Sequence, residues 1–115
     1  ATSELSIEAG RAATRRLLTA TNRPAALFVN NNLLSLGALL ALRDLHLRCP
    51  EDIALACFDD HPWAAVCAPP LTVVSQPARS IGHCAADILC TLINGEVIAE
   101  PVVEFACELI VRQSC

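Results

Sequence analysis

The chain alternates short, continuously apolar runs with longer segments of helical periodicity, and this alternation restricts its possible folds more than any other feature. Three of the apolar runs are too short for buried helices and are typical of strands buried on both faces, at 25–30, 53–58 and 71–75. Helical spacing or helix signals occupy 6–20, 32–44, 61–67 and 78–93, and the tail at 102–111 has the weak alternation of one or two strands. This order predicts an α/β fold, a parallel sheet with helices on both faces.

The composition indicates one globular domain with a buried core. The chain has 115 residues, of which 54% are hydrophobic and 17% charged, and its net charge is −4. A domain of this length buries about two-thirds of its unfolded surface, so it needs no disulfide or metal for stability. All eight basic residues are Arg and they form no extended patch, so we predict that this segment alone does not bind nucleic acid.

The apolar stretches and the cysteines bear on the cellular environment. Every apolar stretch is interrupted before the ~20 residues of a membrane span, and no signal-peptide pattern opens the chain. The seven cysteines are odd in number and never spaced as C-x-x-C, which is typical of a reducing compartment. We therefore predict a cytoplasmic protein with no membrane partner. Because the chain contains no Met, we expect it to be a fragment of a longer protein.

Polar residues follow each predicted strand at the edge where parallel sheets bind ligands. The first strand ends in Asn30-Asn31-Asn32, the second in Asp59-Asp60-His61 and the third in Ser75-Gln76. Amides both donate and accept hydrogen bonds, and a carboxylate accepts from two adjacent hydroxyls. These groups predict a site for a neutral polyhydroxylated ligand.

Each of these residues also has a purely structural interpretation. Asn32 could cap the following helix through its side-chain oxygen, and Asp60 could cap the short helix that begins near Pro62. Gln76 could be no more than a polar residue at a helix entrance. Asp59 is the better ligand candidate. Trp63 could stack on a sugar ring, although a lone Trp beside prolines more often packs at an interface.

The sequence offers little support for an enzyme. Asp59, Asp60 and His61 are adjacent, so they cannot all converge on one metal or acid–base centre. None of the cysteines lies in a nucleophile signature, and the four glycines form no phosphate-binding loop. We therefore predict no catalytic residue, no metal and no cofactor, with a small α/β enzyme that uses Asp59 or Asp60 as an acid or base as the weaker alternative.

Several segments, taken together, resemble the C-terminal half of transcriptional regulators of the lactose-repressor (LacI) family. The resemblance covers nearly the whole chain and is carried by Arg23-Pro24-Ala25-Ala26-Leu27-Phe28-Val29-Asn30-Asn31-Asn32, Leu36-Gly37-Ala38-Leu39, Cys49-Pro50-Glu51-Asp52-Ile53, Phe58-Asp59-Asp60, Pro69-Pro70-Leu71-Thr72, Gln76-Pro77 and Glu108-Leu109-Ile110-Val111-Arg112. The resemblance implies the periplasmic-binding-protein fold, in which two α/β lobes close on a small effector, commonly a sugar or its phosphate and sometimes a purine.

Position by position, the resemblance implies roles for particular residues. Asn31 and Asp59 match effector contacts of the family, and Gln76 matches a residue near the cleft. The dimerisation surface is expected to include the apolar helix and the segment after the short helix, with the residues Leu33, Leu36, Leu40, Val66, Cys67, Ala68 and Pro69. The expected assembly is a homodimer, with a tetramer as the alternative.

The resemblance also implies what residues 1–115 represent: the C-terminal lobe of the effector-binding and dimerisation core of a repressor of sugar metabolism. Operator DNA would be bound only through an N-terminal headpiece, which together with the N-terminal lobe lies outside this chain. Two positions depart from the family pattern: Asn32 stands where the family usually has Asp, and Cys57 where it usually has Gly. The alternative to a repressor is that the protein is a periplasmic sugar-binding transport receptor of the same fold.

Overall fold

The computed structural model describes residues 5–98 and 102–115. Its elements follow the predicted order of helices and strands. They are α1 (Ile7–Leu18), β1 (Ala26–Val29), α2 (Asn32–Asp44), β2 (Ala54–Phe58), α3 (Pro62–Val66), β3 (Thr72–Ser75), α4 (Ala78–Ile93) and β4 (Glu108–Ile110). The predicted tail segment, 102–111, contains a single strand, β4.

The four strands form one mixed sheet in the order β1-β2-β3-β4. Strands β1, β2 and β3 are parallel, with Val29 paired to Cys57 and Cys57 paired to Val73. The tail runs the other way: the backbone nitrogen of Arg112 donates to Thr72 Oγ1 at 2.9 Å, and that of Gln113 donates to the earlier Pro70 carbonyl at 3.1 Å. The parallel sheet is thus confirmed for three strands, and an antiparallel tail completes it.

The chain divides into two compact units. The first contains the residues up to Ser75 together with Leu109–Cys115, and the second contains Gln76–Glu108. The first unit holds the core, in which Leu55 of β2 and Val73 of β3 are fully buried and pack with Leu18 of α1 and Leu42 of α2. The other face of β2 carries Ala54, Ala56 and Phe58, which are only half-buried.

Helices α1 and α2 cross closely because glycines lie at their contact. A Cβ atom on Gly10 would stand 2.7 Å from the Leu34 Cα, and one on Gly37 would stand 2.6 Å from the backbone nitrogen of Arg11 and closer still to the Ile7 carbonyl. Real Cβ atoms do not approach backbone atoms so closely, so only glycine fits. The predicted α1 start is confirmed, since Ser6 caps it by accepting from the Ala9 nitrogen at 3.1 Å.

The amino ends of β2 and β3 are joined by Ser114 of the tail. The Ser114 side chain is fully buried, accepts from the Thr72 nitrogen at 2.8 Å and donates to the Leu55 carbonyl at 2.5 Å. The Leu55 nitrogen donates back to the Ser114 carbonyl at 2.8 Å. One hydroxyl and one peptide group therefore satisfy backbone groups that burial would otherwise leave unpaired.

The second unit contains α4, and no residue of this helix is buried. The predicted stop at Asn94-Gly95 is confirmed: Asn94 is the C-cap, and Gly95 has a φ of 76°. The Gly95 nitrogen then donates to Leu92 and the Glu96 nitrogen to Thr91, both at 3.1 Å. These bonds satisfy carbonyls that the end of a helix leaves without partners.

Candidate functional site

The turn after β1 is shaped by Asn31, which is the N-cap of α2. Its Oδ1 accepts from the backbone nitrogens of Leu33 at 2.9 Å and Leu34 at 3.4 Å. The alternative interpretation of Asn32 as the cap is not supported, because Asn31 has the extended backbone of a cap (φ −155°, ψ 145°) and Asn32 already belongs to the helix. The cap uses the oxygen of Asn31, so its amide NH₂ group is the part suited to a ligand.

Asn32 instead bridges to the turn after β2. Its Nδ2 lies 2.7 Å from His61 Nε2, in a partly buried contact. Its own Oδ1 accepts from the Leu33 nitrogen at 2.7 Å. The turns that follow two neighbouring strands are therefore linked through side chains.

Asp59, the first residue after β2, has a left-handed backbone with a φ of 76°. Asp is among the few residues that adopt this conformation readily. Its backbone nitrogen donates to the Val74 carbonyl of β3 at 2.9 Å, which holds the turn against the sheet. The side chain is half-buried at the carboxyl edge of the sheet.

Asp60 forms an ion pair with Arg112 and does not cap α3, so the structural alternative considered for it is not supported. Its two carboxylate oxygens accept from Arg112, from Nη1 at 2.9 Å and from Nη2 at 2.8 Å, and both side chains are mostly buried. Arg112 Nη1 also donates to the Leu71 carbonyl at 2.8 Å. The hydrogen bond with Asp60 raises the pKa of Arg112 above its ordinary value. The N-cap of α3 is His61, which makes no capping bond through its side chain, and Pro62 begins the helix as expected.

The rings of His61 and Trp63 are stacked, with centroids 6.2 Å apart and planes inclined by 11°. Trp63 is half-buried and packs against the core of the first unit. This placement favours the packing interpretation of Trp63 over stacking on a ligand.

Gln76, the third ligand candidate, begins the second unit. It is exposed, and its carbonyl accepts from the Ala78 nitrogen at 2.8 Å as α4 begins. Asn31 and Asp59 both lie in the first unit. Within that unit the structure brings their two turns together.

The residues predicted at a dimer surface differ in exposure. Val66 is 81% exposed and Leu33 is 41% exposed. The others range from half-buried to exposed, namely Leu36, Leu40, Cys67, Ala68 and Pro69. The thiol of Cys67 donates to the carbonyls of Ala64 and Pro69, so it also stabilises the segment that carries it.

All seven cysteines are free thiols. Burial raises the pKa of Cys49 to about 11, and burial also raises the pKa of Cys57. Across 5–98 and 102–115, no group of three or more His, Cys, Asp or Glu side chains is arranged to hold a metal ion. No helix in the described parts of the chain has the length and apolar character needed to cross a membrane.

Two residues at the sheet were not identified from the sequence, Arg112 and Ser114. Arg112 entered the sequence analysis only as the last residue of a segment that carries the resemblance, and no sequence signal indicated Asp60 as its partner. No sequence signal marks Ser114, because a buried serine in a tail looks like any surface serine.

Comparison with known proteins identifies the family. Residues 2–115 match the model of the periplasmic binding protein-like domain. The chain is 39% identical, over 76% of its length, to a probable opine utilization operon repressor of Rhizobium rhizogenes. It is 33% identical, over 96% of its length, to the HTH-type transcriptional repressor CytR of Escherichia coli K12. It spans 44% of the first relative and 33% of the second.

Solved structures agree with this assignment. A LacI family transcriptional regulator from Bifidobacterium animalis subsp. lactis superimposes with a TM-score of 0.83 at 32% identity, covering 96% of this chain and 41% of the other. A LacI family regulator from Lactobacillus casei with bound sucrose gives a TM-score of 0.77 at 28% identity, with 96% and 41% covered. These relatives are regulators, so the alternative prediction of a transport receptor is not supported. The chain belongs to the periplasmic binding protein-like domain family and resembles its LacI-family transcriptional regulators.

Proposed function

We propose that this chain is the C-terminal lobe of the effector-binding and dimerisation core of a transcriptional repressor. The observation that carries the proposal is the pairing of two turns: Asn31 and Asp59 follow neighbouring parallel strands whose last paired residues are Val29 and Cys57. Side chains after such strands emerge next to each other at the ligand-binding edge of the sheet. Hydrogen bonds hold both turns in place before any ligand arrives.

The effector we propose is a sugar or a sugar phosphate. The Asn31 amide group donates to a hydroxyl of the ligand, and the Asp59 carboxylate accepts from adjacent hydroxyls. The sucrose and glucose bound to LacI family regulators from Lactobacillus casei support this class of ligand.

The mechanism we propose is a shift between two conformations. An effector held between this edge and a second lobe stabilises one arrangement of the lobes, and this changes the spacing of the DNA-binding headpieces in a dimer. Such a mechanism has no catalytic step and needs no cofactor. Free thiols in every cysteine are consistent with a cytoplasmic protein.

The dimer surface we propose is the apolar patch formed by Leu33, Leu36, Leu40 and residues 66–69. Exposed Val66 and Leu33 side chains make this patch costly to leave in water. A symmetric pair of copies would cover it on both chains.

The test is a calorimetric titration that uses the protein as its gene encodes it. The ligands are sucrose, glucose, glucose 6-phosphate and an opine. We expect at least one of the sugars to bind, and Asp59→Ala to weaken that binding at least tenfold, the effect of about 1.4 kcal/mol. Glu51→Ala, which removes an exposed carboxylate elsewhere, is the control and should leave binding unchanged.

The thermal midpoint of Asp59→Ala decides the interpretation. A folded variant with unchanged sugar affinity would exclude Asp59 as a ligand. Loss of folding would show that Asp59 supports the turn rather than the effector. Binding of the opine but of none of the sugar ligands would overturn the proposed effector class.

A further inference from the structure

The hydrogen bond between Asn32 and His61 connects the two turns that carry the proposed effector ligands. Asn32 follows Asn31 directly, and His61 lies two residues after Asp59. The Nδ2···Nε2 distance is 2.7 Å and the contact is partly buried. At this hydrogen-bonding distance one of the two nitrogens must donate and the other must accept, so the role of one side chain determines the role of the other.

The surroundings of Asn32 decide which atom donates. Its Oδ1 is occupied by the Leu33 nitrogen at 2.7 Å, so its NH₂ group is the end that faces the His61 ring. An amide NH₂ group only donates, and His61 Nε2 must therefore accept. A neutral ring that accepts at Nε2 carries its proton on Nδ1.

The His61 ring is also held from its other side. It stacks with Trp63, whose own side chain packs against the core of the first unit. The bridge thus joins the start of α2 to a ring that stacks with a tryptophan packed against the core.

We propose that Asn32 and His61 are positioning residues of the effector site: their bridge, with the His61 ring in its Nδ1–H tautomer, fixes the turn of Asn31 relative to the turn of Asp59. This inference rests on the proposed function, because it concerns the geometry of the same two ligands. It also gives a physical meaning to the residue at position 32. A carboxylate there would only accept, and would require a proton on His61 Nε2.

The first experiment needs no effector. Nitrogen-15 NMR of the histidine rings, on the protein as its gene encodes it, reports which ring nitrogen carries the proton; His61→Phe identifies the His61 signals. We expect an unprotonated Nε2 and a protonated Nδ1 in the wild type, and a protonated Nε2 in Asn32→Asp. Asn30→Ala, in the same turn, is the control and should change neither signal. A protonated Nε2 in the wild type, or an unchanged ring in Asn32→Asp, would overturn the proposal.

The second experiment measures affinity by calorimetry for whichever of sucrose, glucose and glucose 6-phosphate binds the wild type. Asn32→Ala and His61→Phe should each bind about three- to tenfold more weakly, the effect of losing one hydrogen bond. The double variant should bind no more weakly than either single variant, because both remove the same bond. Asn32→Asp should return to within about twofold of the wild type, since a carboxylate restores the bridge to a protonated Nε2.

Several results would contradict the positioning role. Losses that add in the double variant, or an Asn32→Asp affinity as weak as that of Asn32→Ala, would show that the bridge does not act as a unit. If sucrose, glucose and glucose 6-phosphate all fail to bind the wild type, the proposed effector class fails, whereas the ring signals still decide the proposal about Asn32 and His61.

Discussion

Helix α2 buries six of its 13 residues, whereas α4, with 16 residues and as many aliphatic side chains, buries none. Both helices contain an interior glycine. Gly37 of α2 touches the backbone of α1, while a Cβ on Gly82 of α4 would meet no atom within 4 Å. Apolar periodicity therefore predicts that a segment forms a helix, but it does not tell what covers the apolar face. Matched changes in the two helices test this difference.

Gly37→Ala should produce the largest loss of stability. The added methyl group would overlap backbone atoms of Ile7 and Arg11, which cannot move without separating the helices. Overpacking of this kind costs about 3 kcal/mol. Urea unfolding measures the loss, and an unchanged midpoint would mean that the two helices do not cross as closely as described.

Alkylation of Cys49 should be about a hundredfold slower at pH 8 than alkylation of a thiol with the ordinary pKa of 9.0, since burial raises the pKa of Cys49 to about 11. The folded protein binds the thiol proton of Cys49 more tightly than the unfolded chain does. The contribution of this proton to the free energy of unfolding is therefore present below pH 9 and is lost as the pH rises towards 11. Mass spectrometry after timed reaction with iodoacetamide compares Cys49 with Cys90, which is exposed on α4. Equal rates at the two thiols would contradict the burial of Cys49.

Ser114→Ala should cost about 2 kcal/mol, because it leaves the buried Thr72 nitrogen and Leu55 carbonyl each without a partner. The loss should appear in the first unit. Hydrogen exchange is expected to accelerate at the amides of α2 and β2, with α4 as the internal comparison. Ser80→Ala, an exposed serine of α4, is the matched control.

Gly82→Ala should have the smallest effect and the opposite sign. Alanine has the higher helix propensity and space is open around Gly82, so stability should rise by about 0.5–1 kcal/mol. A loss of stability would show that a neighbour covers this face of α4, and it would remove the contrast with Gly37.

The sequence was sufficient for the order of the elements and for the edge at which the ligand candidates lie. Periodicity and turn residues act over a few positions, so α1 from Ser6 and the end of α4 at Gly95 were predicted correctly. The alternative interpretation of Asn32 and Asp60 as helix caps is not supported, since Asn31 and His61 occupy the cap positions. Both residue types cap helices well, and which of two adjacent residues does so depends on backbone angles that one sequence does not determine.

Contacts between distant positions were the second source of error. Asp60 pairs with Arg112, 52 positions away, and Asn32 meets His61 across 29 positions. Local patterns carry no information about such pairs. The long-range partner in each case redirected a side chain that the local pattern had assigned to a helix end.

The hydrogen bonds of Ser114 have a consequence for the order of folding during synthesis. The serine closes the amino ends of β2 and β3 from 59 and 42 positions further along the chain. When the ribosome has released those two strands, the group that completes their hydrogen bonds has not yet been translated. Contacts over such separations form slowly, because a long loop must close first. The nascent strands therefore remain incompletely paired until the tail emerges. During this interval their unpaired backbone groups are available for aggregation with other chains.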